Sequence, residues 1–487
     1  MALVLGLGAW HAGAGLALGA PPAAPPLVQS DGIQAEPAAE LPIVMIQVNE
    51  SLRISDTPQF LPAVLIAVAE SLNLDETVAA TALSIDVNTF DDELNNDGDC
   101  SLREAIIAAN TDAAVGACPA GNGTDLINLP AGTYKLTLAG AGENAAATGD
   151  LDITGDLIID GAGRDATIID GNGSVLGDRV LHITSDTIKV RLTGLTVQNG
   201  SNAGGSGAGI LNIGALTATD IAVKNNAGTG IFSGSGNTAK NGSELTLTRG
   251  LIENNTGGPG GGGSGIQLAI PSLPTTITDS TIRGNSGAGI VNASTRTFFT
   301  ASLTVHGSTV SGNNTQGIFL SAINSGTSKA VVVNSTISGN GFAGMELQPG
   351  GSSPIVATVI NSTIVGSGAA GGFFGGNAFT TFTLKGSILD NDANGNCNTG
   401  AGVLTSLGYN ISSDESCDAE FVETGDLTKT ELLLDSLQDN GGETFTHALL
   451  TGSPGINHIP VADCTDPADN DNPLTADQRG VARPQGP

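Results

Sequence analysis

From about Val190 to Asn391, short alternations of aliphatic and polar residues recur at a nearly fixed spacing, separated by glycine and asparagine turns. Four copies show the pattern: Ile277-Thr-Asp-Ser-Thr-Ile282-Arg-Gly-Asn285, Val305-His-Gly-Ser-Thr-Val310-Ser-Gly-Asn313, Val332-Val-Asn-Ser-Thr-Ile337-Ser-Gly-Asn340 and Val359-Ile-Asn-Ser-Thr-Ile364-Val-Gly-Ser367. Looser copies centre on Val197, Val223, Ile252 and Leu389. Subtracting successive centres gives spacings of 26, 29, 30, 28, 27, 27 and 25 residues. Self-similarity at this period marks a repeat architecture. Within one copy, Leu303 and Val305 alternate with polar neighbours, Val310 starts a second short segment, and Ile318 and Leu320 form a third. Three short strands per repeat describe one turn of a parallel β-helix, with aliphatics of successive coils stacked about 4.8 Å apart. Parallel crossovers are overwhelmingly right-handed, so the expected fold is all-β, a right-handed parallel β-helix over 151–395.

The corners carry a second regularity. Asn226, Asn255, Asn285, Asn313 and Asn340 share one offset, and a glycine follows seven residues after each clear centre, at Gly289, Gly317, Gly344 and Gly371. Asparagine and glycine tolerate the left-handed backbone of a tight corner. Stacked asparagine amides can also bond along the axis, so this ladder reads as structural.

Outside the repeats the pattern changes. Residues 1–26 form an apolar, signal-like segment with a small-residue exit near Ala20 and a proline-rich stretch after it, though no basic residue opens it. Residues 27–83 read as a linker holding two copies of a 20-residue repeat, in which Leu41–Leu52 is echoed by Leu61–Leu72. Residues 84–150 open with the alternating strand Ser84–Val87 and contain Ser101-Leu-Arg-Glu104, a capping box that starts a helix with an apolar face of Leu102, Ala105, Ile106 and Ala109. Such a helix is expected to cap the open N-terminal end of the stack. Residues 396–487 are loop-rich and are expected to close the far end.

Composition narrows the function. The 487 residues carry a formal net charge of −31, which opposes binding to nucleic acid or anionic lipid. Beyond the signal-like segment, no stretch is long and apolar enough to span a membrane. The 70 glycines and 3% aromatics suit a narrow aliphatic core with many corners. Five cysteines fall as two local pairs, Cys100 with Cys118 and Cys397 with Cys417, and a remainder, Cys464. In an exported chain the local pairs read as disulfides. Glu93, Asn95, Asp97, Gly98, Asp99 and Glu104 fall at positions 1, 3, 5, 6, 7 and 12 of an EF-hand-like loop, which makes Ca2+ the candidate ligand there. Position 1 is not Asp, no helix enters the loop, and the capping box already accounts for Glu104.

Cys100-Ser-Leu-Arg-Glu-Ala105 resembles the signature hexapeptide of bacterial CSLREA-domain proteins. Leu407-Gly-Tyr-Asn, Asn440-Gly-Gly-x-Thr, Gly452-Ser-Pro, Asp477-Gln-Arg-Gly and Arg483-Pro are similar to the choice-of-anchor Q region common in that group. The resemblance spans roughly 84–487 and implies a secreted or surface-attached β-helix protein, in a broader class that includes adhesins. It also implies a partner for Cys464 in a Cys-Asp-Ile-Gly-Ala-like segment, which this sequence, ending at Pro487, does not contain.

Two functions follow as expectations: a non-enzymatic adhesin or envelope protein that takes a surface glycan or protein ligand, or a polysaccharide lyase or glycoside hydrolase. The enzyme reading needs carboxylates stacked on adjacent coils. The coils carry scattered Glu253, Asp279, Arg283, His306 and Lys329 and no stacked pair of Asp residues between Val305 and Gly376, so no catalytic residue is assigned and the non-enzymatic reading leads.

Overall fold

The computed structural model describes residues 82–484, apart from 174, 203–206, 235–241, 258–261, 270–271 and 467–469. The signal-like segment and the 20-residue repeats of the linker lie outside the described residues. Among the described residues, three parallel sheets run side by side. Sheet one has 12 strands, from Leu83–Asp86 to Val403–Ser406. Sheet two has 11, from Gly132–Lys135 to Ile411–Ser412, and sheet three has 10, from Leu151–Ile153 to Cys397–Asn398. A single coil supplies one strand to each, as with Thr300–His306, Thr309–Ser311 and Ile318–Ala322. Every neighbour in a sheet is the equivalent strand of the next coil, so the chain winds as a solenoid.

The repeat centres stack residue on residue. Val197, Val223, Ile252, Ile282, Val310, Ile337, Ile364 and Leu389 are paired in that order along sheet two. All eight are buried and belong to one continuous core. Register is fixed because a one-residue slip would turn every aliphatic outward. Pairing in sheet one reaches back to Leu83, well ahead of the periodic region. The helix α1, Leu102–Thr111, is inserted between the first two strands of that sheet, Leu83–Asp86 and Asp125–Leu129, and this hides the period there. Its apolar face, Leu102, Ala105, Ile106 and Ala109, joins the core.

At the corner between sheets two and three, the asparagine ladder forms. Nδ2 of Asn226, Asn255, Asn285 and Asn313 donates to Oδ1 of the asparagine one coil on, at 2.9–3.0 Å. The same Oδ1 atoms accept the backbone N–H of the preceding rung. The left-handed residue is not the ladder asparagine but the one before it: Asn225, Asn254, Gly284, Gly312 and Gly339. The ladder residue must aim its amide along the axis, so the preceding position takes the turn. The glycines after each centre leave room for the next rung: a Cβ at Gly289 or Gly317 would lie 2.8 Å from the next asparagine's Nδ2. In the fourth copy, pairing puts the equivalent glycine at Gly372 and not Gly371.

A second ladder lines the corner between sheets one and two. The backbone N–H groups of Ser280, Ser308, Ser335 and Ser362 each donate to the hydroxyl of the serine one coil on, at 3.1–3.3 Å, and Ser387 passes the chain to Asn410 Oδ1. The recurring Ser-Thr dipeptide ahead of each clear repeat centre is its sequence signal.

Asp392 occupies the asparagine-ladder position two coils beyond Asn340, with Ser367 between them. Its Oδ1 accepts Ser367 N–H at 2.6 Å, while buried Oδ2 has no partner. Burial pushes its carboxyl up to about 7, against the lowering effect of the Ser367 donors. The native state therefore holds a proton that the unfolded chain releases near its ordinary value of 3.8. The associated stability is complete below that value and is lost as pH rises through about 7. Asp392→Asn is thus expected to match the parent near pH 3.5 and to be more stable at pH 9, by on the order of a few kcal/mol in urea unfolding. Equal stability at pH 9 would count against this.

The C-terminal part divides in two. Residues 397–421 follow the last strands, held by Cys397–Cys417, with Phe421 in the core. The described residues of 434–466 and 470–484 do not close the far end; they lie back along the flank of sheet two. Gln478 donates to Ser308 O, Thr309 Oγ1 and Thr444 Oγ1 and accepts from Thr336 Oγ1. Thr444 donates to Gly307 O, and Arg483 donates to Asn334 Oδ1. The motif residues of the tail are those that dock it on the coils.

Candidate functional site

The acidic loop ahead of α1 folds partly as its spacing predicts. Glu93, Asp97 and Asp99 each bring a carboxylate oxygen within 4.8 Å of the others. Asn95 joins this ring through hydrogen bonds: its Nδ2 donates to Glu93 Oε2 at 2.7 Å, and its Oδ1 accepts Asp97 N–H at 2.9 Å. Burial first, then the charge of Asp97, pushes Glu93 and Asp99 up, while the Asp99 backbone N–H holds Asp97 down. Glu104 is committed elsewhere. Its Oε2 accepts Ser101 N–H and its Oε1 accepts Asn95 N–H, while Ser101 Oγ accepts Glu104 N–H, which completes the capping box. Four of the five predicted calcium ligands therefore gather, and the fifth holds the helix start.

Cys100–Cys118 ties α1 to the loop that follows it, and Cys464 is free, 3.1 Å from Arg483 Nη1. The scattered charges of the coils are mutually satisfied or solvated. Arg283 pairs with Glu253 of the preceding coil at 2.9 Å and sits over the Phe445 ring. Asp279 N–H donates to His306 O, and burial raises the Asp279 carboxyl. Lys329 lies exposed on sheet one.

A cluster that sequence reasoning missed lies at the start of sheet three. Asp150, Asp152 and His182 are 2%, 0% and 7% exposed. Strand Leu151–Ile153 pairs with Leu181–Ile183, placing Asp152 opposite His182 on the outer face. His182 Nδ1 lies 2.8 Å from Asp152 Oδ1, and Asp152 Oδ2 accepts Ala146 N–H at 3.2 Å. Arg179 approaches Asp150 at 3.5 Å. Burial, reinforced by Asp152, Asp178 and Glu143 against the opposing charge of Arg179, pushes the Asp150 carboxyl up to about 8. The available signal was Asp150-Leu-Asp152-Ile, an alternation that sends two carboxylates to one face.

Between the returning tail and sheet two lies a cavity of about 720 Å3, lined by Asn361, Tyr409, His447, His458, Cys464 and Arg483 among others. Tyr409 donates to Asp463 and His447 meets Ser338 Oγ, both at 2.9 Å.

Residues 175–364 match the profile described as the right handed beta helix region. The coils form a right-handed parallel β-helix. No curated protein sequence matches the chain. Among solved structures, pectate lyase Pel9A is similar at 17% identity, covering 66% of this chain and 77% of that one, with a TM-score of 0.45. The mannuronan C-5 epimerase AlgE4 A-module of Azotobacter vinelandii shares 12% identity over 69% of this chain and 96% of that one, TM-score 0.39. The catalytic unit of a GH87 alpha-1,3-glucanase from Streptomyces thermodiastaticus shares 14% over 68% and 69%, TM-score 0.36. These likenesses assign no chemistry to this chain.

Proposed function

We propose that this chain is an exported, non-enzymatic β-helix rod acting as a surface adhesin or extracellular structural protein. The observation that carries the reading is an apolar ridge at the corner between sheets three and one. Leu273, Phe298, Phe299, Ile323, Phe379 and Val403 stand exposed at that corner or at the start of the sheet-one strand that follows it, in five of six consecutive turns, the turn at 350–354 contributing none. Phe298 is 88% exposed and left-handed at φ 66°, a conformation costly for an aromatic residue. Exposed apolar side chains repeated along a rigid axis are a contact surface for an extended partner.

Beside the ridge, sheet one carries an uncharged column, Thr217, Thr246, Thr276 and Thr304, paired in register on its outer face. With a net charge of −31, the partner is a neutral glycan or an uncharged to basic protein surface. The two disulfides suit export, and no helix among the described residues is long and apolar enough to cross a membrane. In this reading α1 is the N-terminal cap, guarding the first strand edges from adding other strands. The CSLREA-like hexapeptide supplies that cap, and the choice-of-anchor-like tail straps the coils.

The test is a screen of the purified chain against immobilised neutral polysaccharides and matrix proteins, run beside a depolymerisation assay. Retention without new reducing ends is expected, reduced at least tenfold in Phe298→Ser/Phe379→Ser. Release of reducing ends or unsaturated sugars from any polysaccharide would replace this reading with the enzymatic one.

A further inference from the structure

Three metal-ligating side chains at the start of sheet three meet in a setting that their protein neighbours do not satisfy. Asp150, Asp152 and His182 each place one ligating atom within 4.8 Å of the other two. One imidazole nitrogen, Nδ1, lies against Asp152; the other, Nε2, is buried and has no partner. If Nδ1 carries the proton toward the carboxylate, Nε2 presents a bare lone pair in the interior. A buried polar atom left this way is costly. The surrounding charge selects what could relieve it. Asp150, Asp152, Asp178 and Glu143 gather here, with Arg179 in ion-pair contact with Asp150. Arg103, the next cation, gives its side chain to Asp92 and to backbone carbonyls, that of Asp150 among them. An anion is excluded, and a cation is favoured.

We propose that Asp150, Asp152 and His182 form a binding site for one divalent transition-metal ion. The donor set separates this ion from Ca2+ or Mg2+, which take oxygen ligands; an imidazole beside two carboxylates suits Zn2+ or Mn2+. Two ligands at right angles on an ion, each bonded at about 2.1 Å, lie about 3.0 Å apart. Nδ1 and Asp152 Oδ1 stand at 2.8 Å, near that edge already. The ion replaces the proton between them, and the ring proton then sits on Nε2. Asp150 then closes the set, and the ion's charge offsets the repulsion among Asp150, Asp152 and Asp178. The ion is structural. It joins the segment after Glu143 to the second strand of sheet three, beside α1, whose Asn110 already donates to Asp152 O and accepts Thr154 N–H.

The experiment uses the purified full chain with disulfides intact, stripped with EDTA, loaded with Zn2+ or Mn2+, desalted and analysed for metal content and melting temperature. One equivalent retained and a higher Tm are expected for the parent. Asp150→Asn keeps the shape of the neutral carboxyl, so it should fold, retain under about a fifth of an equivalent and lose the metal-induced Tm shift. His182→Gln should do the same. Asp97→Asn/Asp99→Asn, in the acidic loop, should keep the full equivalent. The proposal is overturned if the parent retains no ion and melts identically with and without metal. It is equally overturned if the acidic-loop variant loses the ion while Asp150→Asn keeps it.

Discussion

Replacing Ile337 with Asp is expected to destabilise the chain by about 4 kcal/mol or more and to split its melt into two stages. Ile337 is 0% exposed and sits in register between Val310 and Ile364, so a carboxylate there has apolar residues above and below it. Two effects add: loss of the buried aliphatic, worth about 2–5 kcal/mol in large-to-small changes, and the desolvation of an unpaired charge. Each coil of a solenoid contacts only its neighbours, so the damage is confined to a few coils while more distant ones keep their own pairing. Differential scanning calorimetry checks both parts. A single transition at the parent temperature would mean that Ile337 does not point inward.

That residue was readable from the sequence because the period itself encodes the register. Eight aliphatics at equivalent offsets in eight repeats have one arrangement that buries them all. The serine ladder was equally visible as the repeated Ser-Thr before each clear centre, but serine at a turn is too common to suggest a hydrogen-bonded column. The Asp150–Asp152–His182 cluster was not legible, since 30 residues separate Asp152 from His182 and only strand pairing brings them together. The tail was misplaced for a related reason. Its docking depends on single side chains such as Gln478, Thr444 and Arg483, which carry no period, so a loop-rich sequence suggested a plug for the end and gave no path along the flank. In the acidic loop, spacing identified the right residues, but Glu104 answers two backbone N–H groups and is diverted from the ring.

The remaining large effect concerns Arg103, a charge in the first turn of α1. The residue is 1% exposed. Its Nε and Nη2 donate to the two oxygens of Asp92 at 2.5 and 3.2 Å, and its other N–H groups reach Ala146 O at 2.8 Å, Gly149 O at 3.0 Å and Asp150 O at 3.4 Å. Asp92 also accepts the backbone N–H groups of Thr137 and Leu138. One guanidinium thus fastens α1 to three segments that are far apart in sequence. Arg103→Ala leaves a buried carboxylate and several carbonyls unpaired, and is expected to cost about 3–5 kcal/mol in urea unfolding. Arg103→Lys keeps the charge but loses the planar fork, so it should recover only part of this. Arg103→Met combined with Asp92→Leu removes both charges and should be milder than Arg103→Ala alone, because no charge of the pair is then stranded. An Arg103→Ala variant within about 1 kcal/mol of the parent would mean that the pair is solvated and that α1 is held by its apolar face alone.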